Sequence, residues 1–211
     1  MLPRYDQALE IYHRAREYIR AAGLDGEVEW QRRVSFSSFT ETEFLRESAW
    51  VILCSGFREA IVRRHFNHIS LAYCDWESAQ SIVDSYPECK FAALGTINHA
   101  AKHEAIVSVA RAIDKAGFEK FKSGVLADPV NQLVKLPYIG FITSLHLAKN
   151  LGMDVAKPDR HLVRVSAKLG FGNAQDFCNY LGKMLNEEVR VVDLVIWRYL
   201  ADNGRLRRHW C

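Results

Sequence analysis

The sequence lacks most of the features that would place it quickly. Its 211 residues include five cysteines, Cys54, Cys74, Cys89, Cys178 and Cys211. They are scattered singly along the chain, so no C-x-x-C and no zinc-type His/Cys spacing occurs, and no metal ligand set is expected. The odd count fits small packing thiols kept reduced. No stretch reaches 18 consecutive apolar residues, so no membrane partner is expected. The first twenty residues, MLPRYDQALEIYHRAREYIR, are charged throughout and hold no apolar signal core. The expectation is therefore a cytoplasmic protein. Repeats, low-complexity tracts and linkers are missing as well. Strand-like character is confined to VEWQRRVSFSSF, residues 28–39.

What is present is helical. YDQALEIYHRAREYIRAAG has apolar residues at three- and four-residue spacing and stops at Gly23. TETEFLRESAWVILCSGFREAIVRRHFNHI reads as one long helix, capped by Thr40 or Thr42, with acidic residues in its first turn. DWESAQSIVDSY starts with an aspartate cap. INHAAKHEAIVSVARAIDKAG ends at Gly117, and DPVNQLVKL offers Asp as cap and Pro at the first helical position. Four further helical segments follow to residue 204. The expected fold is all-α, with roughly ten helices in two helical subdomains of a single domain spanning 1–211.

The net charge of +3 hides an uneven distribution. Residues 1–101 carry 11 Lys/Arg against 14 Asp/Glu, whereas residues 131–211 carry 12 against 7. The basic excess of the last third points to an anionic partner. That third contains LVKLPYIGFITSLHLAKNLGMDVAKPDRHLVRVSAKLGF, residues 133–171. Here Pro137 cannot continue the preceding helix, and Gly140 permits backbone forbidden to other residues, so a tight turn joins two helices. The second helix starts with free backbone N–H groups, which suit a phosphate. Past Gly152 comes Asp159, at the N-cap of RHLVRVSAKL and among Lys157, Arg160, His161 and Arg164. It serves as a helix cap, worth about 1 kcal/mol, or as a functional carboxylate. His161 and Arg164 share a helix face.

This stretch resembles the helix-hairpin-helix DNA glycosylases of the endonuclease III superfamily. Their hairpin has the form L-P-G-[VI]-G, followed by a helix, a loop and an aspartate in V-D-x-H. Here the hairpin is LPYIG and the aspartate segment is KPDRHLVRV, and the separation of Gly140 from Asp159 fits the family closely. The resemblance covers about 45–205, with the helix-hairpin-helix at about 129–151; residues 1–44 stand as an unassigned N-terminal extension packing on it. It implies a base-excision repair enzyme that hydrolyses the N-glycosidic bond of a damaged or mispaired base flipped out of duplex DNA, with Asp159 as catalytic carboxylate. It also implies DNA contacts at Leu136, Pro137, Tyr138, Ile139, Gly140, Phe141, Thr143, Arg160, His161 and Arg164.

Two departures are evident. Tyr138 replaces the first hairpin glycine. Ile142 stands where lyase-active members carry a nucleophilic lysine; an isoleucine forms no Schiff base, so strand cleavage is not expected. Lys135 and Lys149 do not match that position. The four-cysteine iron–sulfur loop of some relatives is missing, and no organic cofactor is implied. A monovalent cation on hairpin carbonyls is compatible with the resemblance.

A flipped base needs aromatic faces, and Phe36, Phe39, Trp50 and Phe57 are candidates, with Phe57 or Arg58 as a wedge into the vacated stack. An alkylated purine is one substrate such faces would suit, since a cationic base stacks well on them. The tail RLRRHWC, residues 205–211, could follow phosphates. A monomer associated with the nucleoid is expected. The alternative reading is a non-catalytic DNA-binding protein on the same scaffold, with Asp159 only a cap.

Overall fold

The computed structural model describes residues 3–203, so the basic tail at 205–211 lies outside the described residues. In chain order the helices are α1 (Tyr5–Ala21), α2 (Asp25–Arg33), α3 (Glu41–Cys54), α4 (Glu59–Ala72), α5 (Ala79–Asp84), α6 (Glu88–Leu94) and α7 (Ala100–Ala116). There follow α8 (Phe118–Ala127), α9 (Pro129–Leu133), α10 (Phe141–Asn150), α11 (Arg160–Lys168), α12 (Ala174–Leu185) and α13 (Val189–Asp202). A 3-10 turn covers Cys74–Trp76. No strand occurs among the described residues. The all-α expectation stands, and the β-like reading of 28–39 is corrected. Val28, Glu29 and Trp30 belong to α2, whose Val28 and Gln31 are buried one turn apart.

The helices outnumber the expected ten because long patterns break. The run from Thr40 onward is not one helix. Gly56 takes φ +95°, a conformation a continuing helix cannot hold, so α3 stops at Cys54 and α4 starts at Glu59. Of the two threonines, Thr40 caps α3. Its Oγ1 accepts the Glu43 amide while Glu43 Oε2 accepts the Thr40 amide. Asp75 caps nothing; α5 starts after Ser78, whose Oγ accepts the Ser81 amide at 3.0 Å. Asp128 does precede Pro129, but its carboxylate takes the Asn131 amide nitrogen of the side chain instead of a backbone N–H.

The described residues fall into two compact units, one of residues 3–34 and 152–203, the other Ser35–Leu151. In the first, α13 is the central element and packs against α1, α2, α11 and α12. Its core joins Ala8, Ile11, Ala15 and Ile19 of α1 to Leu162, Phe177, Leu181, Val192, Val195 and Ile196. Thus α1 and α2 are built into the same core as the helices after residue 152.

In the second unit α7 packs against α3, α5, α6 and α8. Phe44, Ile52, Ile69, Tyr73, Trp76, Ile106 and Ile113 fill its interior. The helix α10 lies on α3 and α9. The α3–α10 contact includes a buried polar link: Asn150 Nδ2 donates to Glu47 Oε2 at 2.9 Å, and Arg46 pairs with Glu47 Oε1 at 2.7 Å. Burial pushes the Glu47 carboxyl up, with Arg46 and the Asn150 hydrogen bond opposing.

Candidate functional site

The hairpin is formed within the Ser35–Leu151 unit. The short helix α9 begins with Pro129 and ends in two turns, where Lys135 and Leu136 donate to Gln132 and Leu133. Leu136 and Ile139 turn inward and are buried, which anchors the hairpin to its own unit. The Ile139 amide donates to the Leu136 carbonyl at 3.1 Å, closing the turn. Thr143 Oγ1 accepts the Gly140 amide at 2.7 Å and donates to the Gly140 carbonyl at 2.9 Å. Thr143 therefore shapes the start of α10. Pro137 and Gly140 are exposed. Tyr138 is 44% exposed, Phe141 62% and Ile142 47%. The first amides of α10, at Phe141 and Ile142, have no acceptor within their own helix.

One expectation is reversed here. Gly140 does not use the freedom of glycine: its φ is −90°, and a Cβ there would meet nothing nearer than Thr143 Oγ1 at 3.9 Å. The left-handed residue is Tyr138, at φ +63°. A side-chain-bearing residue there costs roughly 1–2 kcal/mol. The glycine of L-P-G-[VI]-G is the position that would relieve this strain, and the sequence puts its largest hairpin side chain there.

Two residues that sequence reasoning missed support this turn. Lys102 is only 3% exposed. Its Nζ donates to the carbonyls of Ile52 and Ser55, where α3 ends, and satisfies groups the helix leaves open. The same Nζ lies 5.0 Å from the Tyr138 ring centroid and 5.6 Å from that of Phe57. Burial lowers its pKa. His99 stands edge-on to both rings, at 5.8 Å from Phe57 and 6.3 Å from Tyr138. The available signal was a lysine on the apolar side of an amphipathic helix, in AAKHEAIV.

The aromatic candidates separate. Phe39 is 3% exposed and packs against Phe36, Phe44 and Phe118, so it is a core residue and no pocket wall. Phe36 is half-buried beside it. Trp50 is half-buried, edge-on to Phe66, with the Arg63 guanidinium 5.7 Å from its ring. Phe57 is half-buried in the turn between α3 and α4, and Arg58 beside it is exposed.

Asp159 is placed within the other unit. It is half-buried, at the N-cap of α11. Its Oδ1 accepts the amides of His161 at 2.8 Å and Leu162 at 3.1 Å. Its Oδ2 takes no hydrogen bond from a described residue. One carboxylate oxygen thus fixes the group, and the other is uncommitted among the described residues. The preceding crossover is held at each step by side chains. Asp154 accepts the Arg190 amide at 3.0 Å, Gln175 accepts the Ala156 amide at 2.8 Å, and Asp193 accepts the Lys157 amide at 2.7 Å. Asp193 is buried in the apolar run VVDLVIW, and a lone aspartate there was the legible signal. Arg190, also buried, donates to the carbonyls of Gly152 and Arg32 and pairs with Glu188 at 2.7 Å. Arg160 Nε donates to His161 Nε2 at 3.3 Å, and Arg160 and Arg164 are exposed on α11. Among the described residues no three His, Cys, Asp or Glu side chains gather as a metal site.

No known family profile matches the chain, and no curated protein is similar to it in sequence. Solved structures do match. One is the 8-oxoguanine DNA glycosylase of Thermotoga maritima, with TM-score 0.62 and 18% identity over 92% of this chain and 95% of that one. Another is the Methanocaldococcus jannaschii 8-oxoguanine glycosylase/lyase in complex with a 15mer DNA containing 8-oxoguanine, with TM-score 0.57 and 19% identity over 90% and 96%. The all-helical fold is the one those two glycosylases have.

Proposed function

We propose that the chain is a DNA base-excision glycosylase of the helix-hairpin-helix superfamily that hydrolyses the N-glycosidic bond of a damaged base. The observation that carries this is Asp159, with one oxygen locked by two backbone amides and the other uncommitted. A cap alone does not require the basic surround of Lys157, Arg160, His161 and Arg164. As the base leaves, positive charge builds on the sugar. A fixed carboxylate oxygen can stabilise that charge or accept a proton from the attacking water. The crossover pinned by Asp154, Gln175 and Asp193 keeps the carboxylate in place, so little reorganisation is needed during reaction.

The DNA backbone is the partner of the hairpin in this reading. The open amides of Phe141 and Ile142 and the positive end of α10 suit a phosphate. The carbonyls of Pro137, Tyr138 and Ile139, which accept no backbone amide among the described residues, are the oxygens that would hold a monovalent cation. The protein acts as a monomer on damaged duplex in the cytoplasm.

The enzyme releases the base and leaves the strand intact. Ile142 cannot be a nucleophile, Lys102 is bound to two carbonyls, Lys149 is buried, and Lys135 Nζ donates to Gln132 at 3.1 Å. The M. jannaschii protein is a glycosylase/lyase, so this reading sets the chain apart from that protein in activity.

The substrate is a neutral oxidised purine such as 8-oxoguanine, the base named for both similar structures. An alkylated, cationic purine fits less well. Trp50 already faces Arg63 and Phe57 faces Lys102, so two of the aromatics that would stack a cationic base carry a cation of the protein. A panel of duplexes with one lesion each tests this; release of an alkylated purine in preference to 8-oxoguanine would overturn the substrate class.

A further inference from the structure

Four side chains from three parts of the Ser35–Leu151 unit meet beside the hairpin. Phe57 comes from the turn after α3, His99 and Lys102 from the start of α7, and Tyr138 from the hairpin. The Lys102 ammonium lies within 5.6 Å of both ring centroids, and the His99 imidazole stands edge-on to both. The two rings are therefore held by the same two cationic or titratable groups. Tyr138 is held there on a left-handed backbone that glycine would occupy without strain. Close to half of it remains exposed, next to the exposed Phe141 and Ile142. The contacts with Lys102 and His99 occupy only part of the ring and leave the rest facing solvent from a strained turn. Residues held in such conformations cluster at active sites and ligand clamps.

We propose that Tyr138 is a DNA-stacking residue that works as one unit with Phe57. The inference rests on the glycosylase reading above. Extruding a base leaves a gap in the stack and a partner base without its pair. Two aromatic rings fixed at a common cation can serve both vacancies. With Phe57, on the turn, as the wedge that the resemblance implies, Tyr138 takes the face of the orphaned base. Stacking tolerates any base, because every base has a π-face, so this contact adds affinity for disrupted duplex without reading sequence. Lys102 is a positioning residue: it fixes the rings and touches no DNA.

The test uses the whole protein and a duplex with a tetrahydrofuran abasic analogue opposite 2-aminopurine, whose fluorescence falls on stacking. Wild type, Tyr138→Phe, Tyr138→Leu and Tyr138→Gly are compared at saturation, with affinity and thermal unfolding measured on each. The expected result is a complex at least about twofold dimmer for wild type and Tyr138→Phe than for the Leu and Gly variants. Affinity for this duplex should fall about tenfold in the latter two, the size of one lost base–aromatic stack. Phe57→Ala should cost a similar factor, and the double variant Phe57→Ala/Tyr138→Leu well under about a hundredfold, because the rings act as a unit. Equal fluorescence and affinity for wild type, Tyr138→Leu and Tyr138→Gly, with lowered unfolding temperature alone, would overturn the proposal and make Tyr138 a cover for Lys102. Failure of the wild type to bind any duplex would instead remove the glycosylase reading, and this proposal with it.

Discussion

Asp159 caps α11 through one oxygen, and the proposed catalytic role falls to the other, so substitution can part the two. Asparagine is as good an N-cap as aspartate, so Asp159→Asn should keep the cap of α11 while removing the carboxylate. Unfolding should be unchanged within about 0.5 kcal/mol. Asp159→Ala should lose the cap as well, at about 1 kcal/mol. Thermal unfolding of the two variants checks this, and equal destabilisation would mean that the oxygen on the two amides is not what holds the helix start. Ile142 offers the converse experiment. If the hairpin resemblance gives the right register, Ile142→Lys should create a borohydride-trappable adduct with DNA that wild type does not form. Absence of the adduct in a folded, DNA-binding Ile142→Lys variant would count against that register. The residues that carry these arguments were legible in the sequence itself: a proline after a helix, an aspartate among cations, and an isoleucine where the lyase-active enzymes that the hairpin resembles carry a lysine. Lys102 and Tyr138's backbone were not. The lysine's partners are carbonyls distant in sequence, those of Ile52 and Ser55, and a positive φ at a tyrosine contradicts local preference.

Among the elements, α10 meets α3 at a buried carboxylate. Glu47 on α3 receives Asn150 from the end of α10, and burial raises its pKa above the ordinary 4.5. In the unfolded chain the group returns to 4.5, so the folded state binds more protons between that value and the raised one. Stability therefore falls as pH rises through this window. Glu47→Gln keeps an acceptor for Asn150 and removes the charge. It should raise stability at pH 7 by about 1 kcal/mol. The gain should vanish below about pH 4.5, where wild type is neutral in both states. Denaturant unfolding at pH 4 and pH 7 measures it, and a loss of stability at pH 7 would show that Glu47 contributes through its Arg46 pair. His103 in α7 has the opposite sign. Burial lowers its pKa below 6.5, with Tyr73 Oη 3.1 Å from Nδ1. The unfolded chain takes the proton first as pH falls, so this contribution is complete above 6.5 and is lost below it. Loss of stability between pH 6.5 and 5 should be smaller in His103→Gln than in wild type. Helix existence was readable from periodicity and caps. Helix boundaries were not where a left-handed residue intervenes, as at Gly56 and at Cys74–Trp76, because apolar spacing continues across such a break.

For the whole chain, the division between units does not follow the order of residues. The segment up to Val34 joins the one from Gly152 onward, so the expected extension at 1–44 does not coincide with a unit. Sequence could not show this, since α1 and α13 meet through contacts between opposite ends of the chain, such as the Tyr18 Oη–Asp202 hydrogen bond at 3.0 Å. The basic excess of 131–211 gives a further expectation. Duplex binding should weaken steeply with salt, with log affinity falling linearly in log salt concentration. Arg164→Ala should reduce that slope by about 1, if Arg164 meets a phosphate. Titration by anisotropy between about 50 and 200 mM salt tests it, and a flat response would exclude an electrostatic DNA interface.

The most direct test of the central claim is base release. Duplexes each bearing a single lesion, 8-oxoguanine first among them, would be incubated with wild type and Asp159→Asn, and each product divided between alkali and buffer. The account expects strand breaks with wild type, at the oxidised purine, and only after alkali, with Asp159→Asn at least about a hundredfold slower, the scale of a lost catalytic charge contact. Equal release by Asp159→Asn, or no release from any lesion by a wild type that binds the duplex, would contradict it.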